Sequence, residues 1–287
     1  MRNSKILILG SSGMLGHKLF QMLSTVDGLT VFGCSRENRV NHQNYFLLDL
    51  SSGFESLKAL IDQVNPDVVV NCVGAIKQKS YSVSELFYLN SSLPVFVDQY
   101  SVLKRFRFLH ISTDCVFDGV KGNYSEDNLH YSYDDYGLSK RLGENINQKN
   151  LVIRTSIIGH ELTSKKSLLE WFLSADNVVN GYSNVFYSGL TTLELAKHIL
   201  ACINNPKIGG LFNISSEYIS KHDLLRLINE IYGLRKEIVR TDTPFLDRTL
   251  NSMRYKDLRI EPVLSWRRQI LDMHSDFIEY REIYDLE

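Results

Sequence analysis

Apolar residues in the first half of the chain follow two rhythms in turn. Runs such as Lys5-Ile6-Leu7-Ile8-Leu9, Val68-Val69-Val70 and the segment from Phe106 to Ile111 are apolar at successive positions, as strands covered on both faces must be. Between them apolar residues recur every three or four positions, the mark of an amphipathic helix. The pattern predicts strands over 5–9, 29–34, 45–48, 67–73, 106–111 and 151–154. It predicts helices over 14–25, 54–64, 83–103 and 134–149. Strand and helix in strict alternation argue for an α/β fold with a doubly wound parallel sheet.

Beyond about residue 155 the rhythm loosens. Helices are predicted over 167–174, 191–203, 220–232 and 266–283, with short strands near 184–187 and 211–214. Ser220 is placed to cap the helix that begins at Lys221-His222-Asp223. The expected division is a parallel-sheet domain over 1–155 and a smaller α+β region over 156–287, interleaved with the first. That second region would lie over the carboxyl ends of the main strands, where open α/β sheets bind their ligands.

The first strand runs into Gly10-Ser11-Ser12-Gly13-Met14-Leu15-Gly16 and then into a helical pattern. Glycines three apart let a strand turn tightly into a helix and bring bare backbone close to a pyrophosphate. The N–H groups and positive end of the helix then hold the anion. An ordinary strand-to-helix turn is the alternative. The position after an apolar strand favours the cofactor reading and a Rossmann-type sheet.

Composition narrows the picture further. The chain has 287 residues, 44% hydrophobic and 23% charged, enough apolar material to bury a substantial core. Net charge is -1 without long runs of one sign, so no nucleic-acid polymer or membrane surface is called for. No apolar stretch approaches the ~18 residues of a membrane span. The first strand begins at once and leaves no room for a signal peptide. Cys34, Cys72, Cys115 and Cys202 are scattered and lack C-x-x-C spacing. They read as small buried hydrophobes in a reducing, cytoplasmic compartment. The eight histidines have no metal-ligand spacing; His17 reads as a surface residue and His110 as a strand residue. The aromatic-rich tail from Trp266 to Tyr284 reads as a packed amphipathic helix.

Candidate chemistry lies in Tyr136-Gly137-Leu138-Ser139-Lys140, where a phenol and an ammonium sit one helical turn apart. A phenol titrates near ~10 and is a poor base at neutral pH. A nearby ammonium is expected to lower that value, so that Tyr136 exchanges a proton with a carbonyl or alcohol. A Tyr–Lys pair alone carries little weight; the glycine turn upstream gives it some. A strand also ends at Ile111-Ser112-Thr113-Asp114-Cys115-Val116-Phe117-Asp118-Gly119. There Thr113 is placed either to bond a substrate oxygen or only to cap the next turn.

These stretches, with Asn71-Cys72-Val73-Gly74, Asn90-Ser91-Ser92-Leu93-Pro94 and Gly143-Glu144, stand in a familiar order. The chain resembles the extended short-chain dehydrogenase/reductases, and within them the dTDP-4-dehydrorhamnose reductase (RmlD-like) sugar-nucleotide reductases. The resemblance covers about the first 160 residues. It implies a catalytic set of Thr113, Tyr136 and Lys140. Tyr136 would donate the proton, Lys140 would hold the nicotinamide ribose, and Thr113 would orient the keto oxygen. It implies cofactor contacts from Gly10, Ser12, Gly13, Met14, Leu15 and Gly16 in the turn, and from Ser35, Arg36, Asp49 and Leu50. Cys72, Val73, Gly74 and Asn90, with Tyr136 and Lys140, would complete them. The second strand ends in Cys34-Ser35-Arg36 without an acid before Glu37. Ser35 and Arg36 suit a 2′-phosphate, so NADP(H) is favoured over NAD(H).

The last third matches in pieces: Arg154 with Thr155, Val185-Phe186-Tyr187-Ser188-Gly189, Phe212-Asn213-Ile214 and Asp247-Arg248-Thr249-Leu250. The resemblance implies that Thr113, Cys115, Tyr187 and Arg248 touch a nucleotide-diphosphate keto sugar. Arg248 is either a bidentate phosphate contact or a solvated loop residue. The segment His130-Tyr131-Ser132-Tyr133-Asp134-Asp135 lacks the proline that relatives often carry before the tyrosine, which leaves the sugar open. The implied activity is NADPH-dependent reduction of a keto group, at C4, of a nucleotide-linked 6-deoxy sugar for surface polysaccharide. An epimerase or dehydratase of the same fold, or a non-catalytic NADP-binding regulatory subunit, is the alternative. A homodimer is left open.

Overall fold

A computed structural model describes residues 3–37, 42–50, 53–76, 81–162 and 166–284. Six strands of the first half form a parallel sheet: β1 (Ser4–Leu9), β2 (Leu29–Ser35), β3 (Tyr45–Leu47), β4 (Val68–Asn71), β5 (Arg107–Thr113) and β6 (Leu151–Thr155). Short strands β7 (Ile157–Ile158), β8 (Val178–Tyr182), β9 (Val185–Tyr187) and β10 (Leu190–Thr191) follow before β11 (Gly210–Asn213). β11 returns to pair with β6 and completes a seven-stranded sheet in the order β11-β6-β5-β4-β1-β2-β3. Every pairing in it is parallel. The order reverses between β1 and β4, which opens a crevice at their carboxyl ends. In register, Leu9 faces Cys34 on one side and Asn71 on the other.

Helices cover both faces. α1 (Met14–Ser24) packs Leu15, Leu19 and Leu23 on one face. α2 (Glu55–Val64) and, after the short α3 (Val83–Phe87), α4 (Leu93–Lys104) bury Leu57, Ile61, Leu93 and Val97 against the other. The predicted helix over 83–103 is interrupted: residues Tyr88–Ser92 form a π turn between α3 and α4. Such turns are rare and cluster at functional sites. The predicted helix over 134–149 is shorter, α5 (Asp135–Leu142), because Gly143 runs hard against that π turn. A Cβ on Gly143 would lie 2.0 Å from the Asn90 carbonyl oxygen.

The later residues add α6 (Leu168–Ser174), α7 (Thr192–Ile203) and α8 (Lys221–Ile231), with β12 (Ile219–Ser220), β13 (Glu237–Thr241) and β14 (Leu246–Asp247). α9 (Met253–Lys256) and α10 (Trp266–Glu279) follow. The Ser220 hydroxyl accepts the Asp223 N–H at 3.0 Å, the cap expected from sequence. β12, β9 and β14 form one small sheet, and β13 pairs with β8 in another. Leu169, Phe172, Leu224, Ile228, Trp266 and Ile270 make a separate core beneath them. Strands this short carry no periodic signal of their own, so β7, β10, β12 and β14 escape sequence reading. Among the described residues no helix is long and apolar enough to cross a membrane.

Candidate active site

The crevice begins where β1 ends. Gly10 takes φ +78°, and a Cβ on Gly16 would lie 2.1 Å from the Gly10 carbonyl oxygen. Only glycine permits that closeness, so the spacing has a steric cause. The Gly13 N–H closes the turn on the Gly10 carbonyl at 3.0 Å, and α1 starts with Gly13 as its cap. Beside it lies a cavity of about 180 Å³. Gly10, Ser12 and Gly13 line one end of it; Ser35, Arg36, Asp49 and Leu50 line another wall. Cys72, Val73 and Gly74 line the third, and Glu37 joins Arg36.

Other residues implicated in the cofactor contacts lie elsewhere. The Leu15 side chain is in the core, so only its backbone faces the turn. Asn90 is fully buried and does not line the cavity. Its side chain bonds both backbone groups of Ala75, at 2.9 and 3.0 Å, and the Ser139 hydroxyl at 3.1 Å. Asn90 thus fixes the chain after Gly74 to α5. The Ser35 hydroxyl donates to the Glu37 carbonyl at 2.6 Å and shares a 2.8 Å bond with the Tyr45 hydroxyl, whereas Arg36 is exposed.

Thr113, Tyr136 and Lys140 come together where β5 ends against α5. Asp134 caps α5 by accepting the Gly137 N–H at 2.8 Å, which sets Tyr136 in the first turn and Lys140 one turn on. The Thr113 hydroxyl donates to Asp114 Oδ1 at 3.1 Å and accepts the Cys115 N–H at 3.2 Å, so it also caps the following turn. Buried Lys140 donates from Nζ to the Ile111 carbonyl at 2.8 Å. A Cβ on Gly74 would lie 3.7 Å from Nζ, so the ammonium faces the cofactor cavity's third wall. Burial lowers the Lys140 pKa from 10.5 to about 8, with Glu144 pulling it back up. Tyr136 departs from expectation. Burial pushes its phenol above the ordinary value, Cys115 adds to the rise, and a hydrogen bond with Thr113 only partly opposes it. Without ligand the phenol keeps its proton, because desolvation outweighs any help from the lysine.

Beneath this set, Glu144 accepts both the Arg154 guanidinium, at 2.7 and 2.9 Å, and the Ser112 hydroxyl at 2.5 Å. Arg154 is therefore a buried strut between β6 and the end of α5, not a nucleotide grip.

The opposite wall is built by distant segments. Arg248, after β14, donates from Nε to the Phe117 carbonyl at 2.9 Å and places Nη1 3.7 Å from Cys115 Sγ. Tyr187 pairs in register with Ile219 and lies against Trp266, its ring centroid 5.6 Å away. Burial raises the Tyr187 phenol, a Ser156 hydrogen bond opposes this, and the charges of Asp114 and Cys115 add to it. Asp114 is buried and shifted up, with Cys115 and Arg248 opposing the shift. Sequence reading missed Lys221, the first residue of α8. It is half-buried, its ammonium makes no hydrogen bond or ion pair among the described residues, and it feels Asp114, Cys115 and Arg248. Burial lowers its pKa. A signal existed, since a lysine opening a helix opposes the helix dipole. A larger cavity, about 570 Å³, is lined by Phe186 and Asp247, which alternate with Tyr187 and Arg248 and so face the other way. It is lined by none of Thr113, Tyr136 and Lys140.

The sequence profile of the RmlD substrate binding domain matches residues 4–240. The chain belongs to that family. It is 28% identical to a dTDP-4-dehydrorhamnose reductase of Aggregatibacter actinomycetemcomitans over 160 residues, 53% of this chain and 51% of that protein. The match thus spans about half of that relative's length. A solved hypothetical dTDP-4-dehydrorhamnose reductase from Sulfolobus tokodaii superposes with a TM-score of 0.76 at 28% identity, covering 88% of this chain and 94% of that one. The dTDP-4-dehydrorhamnose reductase of Bacillus anthracis str. Ames, solved in complex with NADP, superposes with a TM-score of 0.82 at 17% identity over 96% of this chain and 99% of that one. At that identity the likeness is one of fold.

Proposed function

We propose that the protein reduces the C4 keto group of a nucleotide-linked 6-deoxy sugar with NADPH. The observation that carries this reading is Tyr136 hydrogen-bonded to Thr113, with Lys140 beside Gly74 of the glycine-lined cavity. The turn over residues 10–16 fits a pyrophosphate, because its bare backbone and the N-terminus of α1 stand where an anion would lie. A bound reduced pyridine nucleotide supplies the hydride. Lys140 would hold its ribose, and Arg36 would meet its 2′-phosphate. Thr113 bonds the keto oxygen, which acquires negative charge as the hydride arrives at carbon. Tyr136 gives its phenolic proton to that oxygen, and the product is the alcohol. A tyrosine that starts neutral suits the reducing direction.

Residues 1–155 carry the cofactor in this reading, and residues 156–287 hold the sugar nucleotide. Tyr187, Cys115 and Arg248 line its path. Lys221 adds a second cation beside Arg248, so that a diphosphate meets charge on both sides. Among the described residues Cys34, Cys72, Cys115 and Cys202 form no disulfide, which fits a reducing cytoplasm.

The test mixes purified protein, NADPH and dTDP-, UDP- or GDP-linked 4-keto-6-deoxy sugars and follows nicotinamide absorbance. The expected result is one NADPH consumed per sugar reduced. No oxidation with any of these sugars would overturn the reading.

A further inference from the structure

His17 follows the last glycine of the turn, and from sequence it reads as a surface residue. The structure buries it to 3% exposure and gives both ring nitrogens a partner. Nδ1 lies 2.9 Å from the Gly13 carbonyl oxygen, and Nε2 lies 3.2 Å from the Tyr284 hydroxyl. A carbonyl only accepts, so Nδ1 carries the proton and Nε2 is left to accept from Tyr284. Burial lowers the His17 pKa to about 3, which keeps the ring neutral and this tautomer in place.

The Gly13 carbonyl already accepts the His17 backbone N–H at 3.0 Å. With the side chain it accepts two bonds from one residue, and both of its lone pairs are engaged. That carbonyl shares a rigid plane with the Met14 N–H, which points the opposite way. The Met14 N–H is one of the groups that a helix leaves without an internal partner at its start. Fixing the carbonyl therefore aims a donor out of α1 towards the place of the pyrophosphate.

Tyr284 is itself held. Its ring packs edge-on to His17 with centroids 5.5 Å apart and against Phe277 at 5.1 Å, while His160 meets it at 5.5 Å. One residue further along α1, buried Lys18 pairs with Asp276 of α10 and bonds Gln21 Oε1 at 2.6 Å. The end of the chain is thus fastened to the first turn of α1.

We propose that His17 is a positioning residue for the cofactor turn, its Nδ1–H holding the Gly13 carbonyl and its ring set by Tyr284 of the C-terminal segment. This rests on the reading that the turn binds the pyridine nucleotide. Affinity for NADPH then depends on residues near the end of the chain, outside the half that forms the turn.

The test titrates NADPH by fluorescence into wild type, His17→Phe, His17→Asn and Tyr284→Phe, with kcat taken at saturating NADPH and unfolding followed by heat. His17→Phe keeps a packed ring and removes the bond; NADPH binding is expected to weaken about tenfold with kcat within about twofold. His17→Asn, whose amide N–H stands near the Nδ1 position, is expected to recover to within about threefold of wild type. Tyr284→Phe, which loses one hydroxyl, is expected to weaken binding about threefold. Unchanged NADPH affinity in His17→Phe overturns the inference, and so does an equal loss in His17→Asn and His17→Phe. Failure of wild type to bind NADPH or NADH would instead overturn the reading on which it rests.

Discussion

The end of the crevice proposed for the cofactor is lined by bare glycine backbone, and the wall proposed for the substrate is built of side chains. Gly10, Gly13, Val73 and Gly74 come from the residues just after β1 and β4. Thr113 with Cys115, Tyr187, Lys221 and Arg248 come from four separate places in the chain. Their arrangement depends on β9, β12 and β14 pairing correctly. A backbone cradle tolerates change in its side chains but not in its glycines. A side-chain wall can be retuned one residue at a time, so the substrate side is where specificity is free to vary.

The largest expected separation of the two sides comes from Tyr136→Phe, which keeps the ring and removes the proton. Turnover should fall about 10²–10⁴-fold while NADPH affinity stays near wild type. Parallel loss of both would mean that Tyr136 belongs to the cofactor side alone. Arg154→Met breaks the buried pair with Glu144 and strands a charge under α5. It should cost about 3–5 kcal/mol of stability, read from the denaturant midpoint, because an unpaired buried carboxylate is left behind. A small effect would show that the catalytic helix is seated by the Asn90–Gly143 contact alone.

On the substrate side, Lys221→Met and Arg248→Met should each raise the KM for the sugar nucleotide about tenfold and leave the KM for NADPH unchanged. A rise for NADPH instead would erase the distinction between the walls. The pH profile follows from Lys140. Its ammonium dominates below about pH 8 and is lost above it, so kcat/KM should fall as pH rises through that value. Its effect on stability runs the other way. The unfolded chain holds that proton up to the ordinary 10.5, so this residue's contribution rises with pH between about 8 and 10.5. A rate that holds constant to pH 10 would detach Lys140 from the reaction. The smallest effect is expected from Arg36→Ala: about fivefold weaker NADPH binding with NADH unaffected, measured by the ratio of the two KM values.

Legibility follows the same division. Residues 10–16 announce themselves because a strand, three glycines and a helix lie together in sequence, and steric need dictates the spacing. Tyr136 and Lys140 are legible as a pair because one helical turn separates them. Asn90 was read as a cofactor contact, yet it braces Ala75 and Ser139, since a buried amide reads the same in sequence whatever it bonds. The Tyr136 pKa was expected to fall and rises instead, because burial is set by surroundings that the motif does not contain.

The chain by itself determined the alternation of strands and helices, the order of its motifs and the steric demand of the glycine turn, all of which depend on neighbours within a few residues. Only the tertiary structure decided that β11 rejoins the main sheet, that Lys221 comes near Asp114, Cys115 and Arg248, and that His17 is sealed beneath Tyr284. Those outcomes hang on contacts between residues as many as 267 positions apart. Their energies come from burial and pairing, which exist only once the chain has folded.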